Sequence, residues 1–131
     1  MFKGTFVTGT QISANTNIPI TTVFNTNDKI NNNNGVIQIL QSGLYKADAN
    51  LVITGVADAT NVTAQFYADG VAVAGATGSA TSGGTTNLIT LPLQDAFRVV
   101  STLPNNTASL AIQCNVAVTP TGGNIIVAYE R

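Results

Sequence analysis

The chain of 131 residues has no histidine, no tryptophan and one cysteine, and only five basic and six acidic side chains. Each shortage excludes a class of chemistry. Without histidine, neither a Ser-His nor a Cys-His nucleophilic pair can form within the chain. With Cys114 alone, no intrachain disulfide is possible. Cys114 falls in phase with Leu110, Ile112, Val116 and Val118, which is the pattern of a small buried hydrophobe. The acids are Asp28, Asp48, Asp58, Asp69, Asp95 and Glu130, and four of them sit in turn-like sequence, where Asx residues serve the backbone. Asp28 among asparagines lacks the spacing of a calcium loop. No catalytic residue, no metal site and no cofactor is therefore expected.

The same shortages limit the partners. A net charge of −1 with no Lys/Arg cluster argues against a nucleic acid held by its phosphates. Stacking on single strands needs aromatics in a basic groove, and the chain has five Phe and three Tyr without one. No apolar run approaches a membrane span, and MFKGTFVTGTQIS carries no continuous apolar segment of the secretory type. A protein made in a cytoplasm is expected. A fold of this mass exposes roughly 6,500 Å², so each charge covers about 600 Å². That is thin cover, and net charge near zero favours association. An oligomer or larger assembly is expected.

What is present is strand. From Tyr45, the residues Tyr45, Ala47, Ala49, Leu51 and Ile53 fall on one face, and Lys46, Asp48, Asn50 and Thr54 on the other. Only Val52 breaks the pattern. A period of two over this length means a strand with one face in a core. Around it the punctuation is regular. Residues 25–35, NTNDKINNNNG, read as a loop with an Asn34-Gly35 turn before the next strand, and Asp69-Gly70 between two strand-like runs reads as a tight hairpin turn. Residues 75–85, GATGSATSGGT, read as a loop, Gln94-Asp95 as a turn between two strands, and Pro120-Thr121-Gly122-Gly123 as the last turn. Eight to ten short strands with no amphipathic helix predict an all-β, antiparallel two-sheet sandwich or barrel.

Residues 1–17 are rich in Thr, Gly and Asn, with Phe2, Phe6, Val7 and Ile12 among them. They read either as a loosely ordered terminus or as an arm that docks on a neighbour, with the domain proper spanning 18–131.

The run Ile37-Gln38-Ile39-Leu40-Gln41-Ser42-Gly43-Leu44-Tyr45-Lys46-Ala47 passes from a hydrophobic strand through Gly and an aromatic into an alternating strand. Ile89 to Val99 forms a strand that reaches an acid and leads directly into another strand. With the Asp69-Gly70 hairpin and Ile125-Ile126-Val127, these runs resemble the jelly roll of the tumour necrosis factor and complement globular-head superfamily. The resemblance covers residues 18–131. It implies a jelly-roll sandwich assembled as a compact homotrimer, and small phage and bacterial relatives of this kind serve as virion or surface domains. The superfamily's receptor-binding and calcium residues do not transfer. Leu44, Val52, Val100 and Ile126 are apolar residues on the face turned away from the core. They are either scattered surface hydrophobes or the lining of the three-fold contact.

The expected function is that of a virion structural protein without enzymatic activity, a bacteriophage capsid decoration or head-fibre protein that contacts other virion proteins through its arm. The alternative is a receptor- or carbohydrate-binding module of a phage tail or bacterial surface, with Tyr67, Asp58 or residues 75–85 at an exposed tip.

Overall fold

The computed structural model describes residues 1–99 and 108–130. Ten strands are present: β1 Phe2–Phe6, β2 Ile20–Asn25, β3 Ile30–Asn33, β4 Val36–Ile39, β5 Gly43–Thr54, β6 Asn61–Ala68, β7 Val71–Thr81, β8 Ile89–Val99, β9 Ala108–Cys114 and β10 Thr119–Glu130. They form two five-stranded antiparallel sheets, ordered β2-β1-β10-β5-β8 and β3-β4-β9-β6-β7. The fold is all-β, a sandwich of these two sheets.

β5 owes its form to its alternation. Tyr45, Ala47, Ala49, Leu51 and Ile53 all point into the core and are buried. The strand pairs with β10 on one side and β8 on the other, so its backbone groups are satisfied along its length. The opposite inner face carries Ile37, Ile39, Val62, Phe66, Leu110 and Ile112, which join the same cluster. The two faces interdigitate as packed sheets do.

The two short turns form as their residues dictate. Asn34 and Gly35 take φ of 53° and 89°, and Asp69 and Gly70 take 51° and 78°. Positive φ at both central positions is the type I′ geometry whose twist matches the strands.

Four sequence-predicted breaks are instead strand. Ile30–Asn33, inside the expected loop 25–35, form β3 and pair with β4 across the Asn34-Gly35 turn. Residues 75–81 continue β7, which pairs with β6 from Ala68↔Val71 to Asn61↔Thr81 across one bulge. The Gln65 side chain fills that bulge, donating to the carbonyls of Val73 at 2.6 Å and Ala76 at 3.2 Å. The small residues there are not loop chemistry. A Cβ on Gly78 would run into the Pro92 carbonyl of β8, where the two sheets meet edge to edge. Gln94-Asp95 is not a turn either. β8 pairs with β5 without interruption from Ile89 to Val99, and Pro92 is tolerated because β8 is an edge strand. Pro120–Gly123 lies inside β10 as a bulge against β5.

Residues 1–17 also differ from expectation. β1 lies between β2 and β10, and Phe2 and Phe6 are core residues of the chain's own sandwich. The boundary expected at residue 18 therefore has no structural counterpart. After β1 the chain stays bonded to its own body. Gly9 N donates to Pro120 O at 3.0 Å, Ile12 exchanges bonds with Val118 at 2.8 and 3.0 Å, and Asn15 N donates to Cys114 O at 2.8 Å. Ile18 N donates to Ile112 O at 2.9 Å. The reason is the shortness of β4, which pairs with β9 only at Ala108, Ser109 and Leu110. Residues 12–18 take up the β9 carbonyls that β4 does not reach.

Candidate functional site

Two surfaces qualify as sites, one on the outer face of each sheet. On the first sheet, the residues of β5 that alternate with the core set point outward. Leu44 and Val52 are among them, and Ile126 on β10 stands opposite Asp48. The structure thus puts all three on one face, but not together. Leu44 and Val52 are eight residues apart, about 26 Å along the strand. Val100 lies outside the described residues. Ile126 is half-buried between neighbouring strands, and the face around it carries Lys46, Asp48, Asn50 and Gln94. Of the four residues expected in an arm, Val7 is exposed and Ile12 packs against the core from its margin.

Sequence reasoning missed Phe24. It is paired with Lys3, whose other neighbour is Ile126, so all three share the outward face. Phe24 is 43% exposed. Counting by twos from buried Ile20 would point Phe24 inward, but a bulge at Lys3/Gly4 inserts Val23 and inverts the phase.

On the second sheet, a groove of about 170 Å³ is lined by Asn15, Thr63, Gln65, Tyr67, Gln113 and Asn115 with Cys114 at its margin. Thr63, Gln65 and Tyr67 come from β6, alternating with the buried Val62, Ala64 and Phe66. Gln113 comes from β9, and Asn15 from the segment that extends the sheet past β4. The amides are tied. Asn115 Oδ1 accepts the Thr63 N–H at 2.8 Å, and Gln113 Nε2 donates to Asn17 Oδ1 at 2.8 Å. The Cys114 thiol points into the core, and burial pushes its pKa up to about 12, so it stays protonated. Asp58 and Tyr67 do not share a tip, and the Ala76 carbonyl of the expected loop 75–85 accepts from Gln65, which lines the groove beside Tyr67. Asp58 precedes the start of β6 and Tyr67 is near its end, roughly 20 Å away.

A larger cleft of about 630 Å³ opens at one end of the sandwich, lined by Thr26, Asn27, Asp28, Lys29, Gln41 and Tyr129 among others. Beneath it the Tyr45 hydroxyl donates to Gln41 O at 2.7 Å, and its ring stacks on Phe97 and meets Tyr129 edge-on. Burial, and then the neighbouring Tyr129, raises the Tyr45 pKa, so its hydroxyl is a structural donor. Among the described residues no three His, Cys, Asp or Glu side chains converge as metal ligands, and no helix is long and apolar enough to cross a membrane.

No protein-family profile and no curated protein sequence matches the chain. Solved structures do. Murine APRIL superposes with a TM-score of 0.69 at 9% identity, covering 96% of this chain and 97% of its own. Eiger TNF from S. frugiperda gives 0.70 at 8%, covering 99% and 93%. The chain has a TNF-like jelly-roll fold. The PRD1 vertex protein P5 shares this jelly roll, with a TM-score of 0.66 at 15% identity over 99% of this chain and 96% of that one. The likeness runs from the first strand, so β1 belongs to the TNF-like jelly roll as much as residues 18–131 do.

Proposed function

We propose that the chain is a structural virion protein without enzymatic activity, a homotrimer that decorates a phage capsid or forms part of a head fibre. It would be made in the host cytoplasm and reside in the virion. The observation that carries this reading is the match to the PRD1 vertex protein P5 over nearly the whole of both chains. Composition supports it. Uncharged surface associates without stripping water from ions, and eleven charges on 6523 Å² leave most of this surface uncharged.

The trimer contact is assigned to the outer face of the first sheet. The strands of this sheet run from 5 to 12 residues, so at about 3.3 Å per residue and about 4.8 Å between strands the face is roughly 700 Å². That is close to the standard contact of about 800 Å² per partner. Phe24, Ile126, Leu44 and Val52 supply apolar anchors on that face, and Lys46 and Asp48 supply its specificity. The exposed part of residues 7–17, with Val7, is left to meet other virion proteins.

The test is the mass in solution of the purified protein, by light scattering across a concentration series. A particle of three times 13.5 kDa is expected, and Ile126→Lys or Phe24→Lys shifts it toward the single chain. A parent protein that remains a single chain at tens of micromolar would remove the trimer from the proposal. Binding to pre-formed capsids that lack the protein tests the virion role, and binding to host cells alone would oppose it.

A further inference from the structure

We propose that the groove on the outer face of the second sheet binds a neutral, polyhydroxylated ligand, an uncharged saccharide. This goes beyond the assembly role and uses the opposite face of the sandwich, so the first-sheet contact leaves the groove open.

The chemistry of the lining selects the ligand class. No Lys, Arg, Asp or Glu lines the groove, so an anion finds no counter-charge and a cation no carboxylate. A purely apolar ligand is equally disfavoured, because it would bury amides and hydroxyls without partners. What fits is a molecule with many neutral hydrogen-bonding groups and an apolar face.

The orientation of the amides narrows this further. Gln65 Nε2 is committed to the carbonyls of Phe66, Val73 and Ala76 at 2.9, 2.6 and 3.2 Å. Gln113 Nε2 is committed to Asn17, and both Asn115 side-chain atoms are held by Thr63 N–H and Asn61 O. The Gln65 donors are thus used, one Gln113 N–H is left, and neither glutamine Oε1 accepts a hydrogen bond among the described residues. An acceptor-rich groove calls for a donor-rich ligand, and hydroxyls are the neutral donors that come in sets. The Thr63 and Tyr67 hydroxyls take part in no hydrogen bond among the described residues, so each can donate or accept. The half-buried Tyr67 ring offers the C–H face of a sugar a flat apolar surface. Because Gln65 and Asn115 are already fixed by backbone partners and Gln113 by Asn17, ordering these amides adds little entropic cost to binding.

Saturation-transfer NMR tests this directly on the full chain. The probes are methyl glycosides of neutral hexoses and N-acetylhexosamines and neutral oligosaccharides, with sialyllactose and heparin fragments as anionic comparisons. At least one neutral saccharide is expected to receive saturation on its ring protons. Tyr67→Ala and Gln113→Ala should each weaken its binding by tenfold or more while the thermal melt stays cooperative. If Tyr67→Ala does not fold, Gln113→Ala and Tyr67→Phe carry the test, the latter weakening binding severalfold through the lost hydroxyl. Transfer to anionic saccharides alone, to none, or unchanged binding by the folded variants overturns the proposal. None of these outcomes depends on the oligomeric mass, so this proposal and the trimer can fail separately.

Discussion

Replacing Phe2 by Ala separates a docking arm from a core strand. Phe2 is 0% exposed, at the start of a strand flanked on both sides in its sheet. Removing a buried phenylalanine costs about 3–5 kcal/mol, the transfer term plus the cavity left behind. Against a total of about 5–15 kcal/mol for an ordinary domain, that is a large share. Unfolding entropy near 2.1 cal/mol/K per residue makes each kcal/mol worth about 4 °C at this chain length. The melting temperature should therefore fall by about 11–18 °C. The assay is calorimetry at several protein concentrations, since association couples to stability, joined to a urea titration whose slope should not change. Val7→Ala is the internal control. Val7 is 39% exposed, and its truncation should move stability by no more than about 0.5 kcal/mol. If Phe2→Ala melts within about 2 °C of the parent while losing its hold on a partner assembly, the core assignment is wrong and the arm is right.

Adjacent glycines in the β10 bulge should behave oppositely. A Cβ on Gly123 would fall on the Asn50 carbonyl, and the residue holds φ of 106°, so Gly123→Ala should cost about 2–4 kcal/mol. Gly122 has open space, and Gly122→Ala should cost under about 0.5 kcal/mol; equal losses in thermal melts would contradict the bulge geometry. Alkaline pH should destabilise the fold through Cys114. Its folded pKa is raised from 9.0 to about 12, so its contribution is complete below about pH 9 and is lost as pH rises toward 12. The loss is at most about 4 kcal/mol. Cys114→Ala should flatten the fall in urea midpoint between pH 8 and pH 11, and a fall as steep as the parent's would exclude this cause.

What was legible in the sequence was whatever a strand declares by itself. β5 shows its two faces in five alternating residues, and Asn34-Gly35 and Asp69-Gly70 name their turns through backbone preference alone. What was illegible depends on neighbours. Residues 75–81 have no apolar pattern, and they are strand because β6 offers a ladder and Gly78 lets β8 approach. Gln94-Asp95 has turn chemistry, yet an unbroken ladder with β5 outweighs local preference. Phe24 was missed because one inserted residue sets its face, and a single bulge moves every later side chain to the other side. Of the groove, Thr63, Gln65 and Tyr67 could be read as the outward set of β6. Asn15 and Gln113 are almost a hundred residues apart, and only the fold brings them side by side.

That juxtaposition ties the first residues of the chain to both of its surfaces. β1 completes the first sheet and carries Lys3, which separates Phe24 from Ile126 on the outer face. Residues 12–18 then cross to the second sheet, take the β9 carbonyls left by a short β4, and bring Asn15 to the groove and Asn17 to Gln113. Deleting residues 1–17 would remove two core phenylalanines, an inner strand of one sheet and part of the groove at once. Loss of assembly in such a truncation would therefore say nothing about an arm. Only substitutions that spare Phe2, Phe6 and the hydrogen bonds to Cys114, Ile112 and Val118 can separate docking from folding. The side chain of Val7 meets that condition, since it can be changed without removing the backbone bond its residue makes to Pro19.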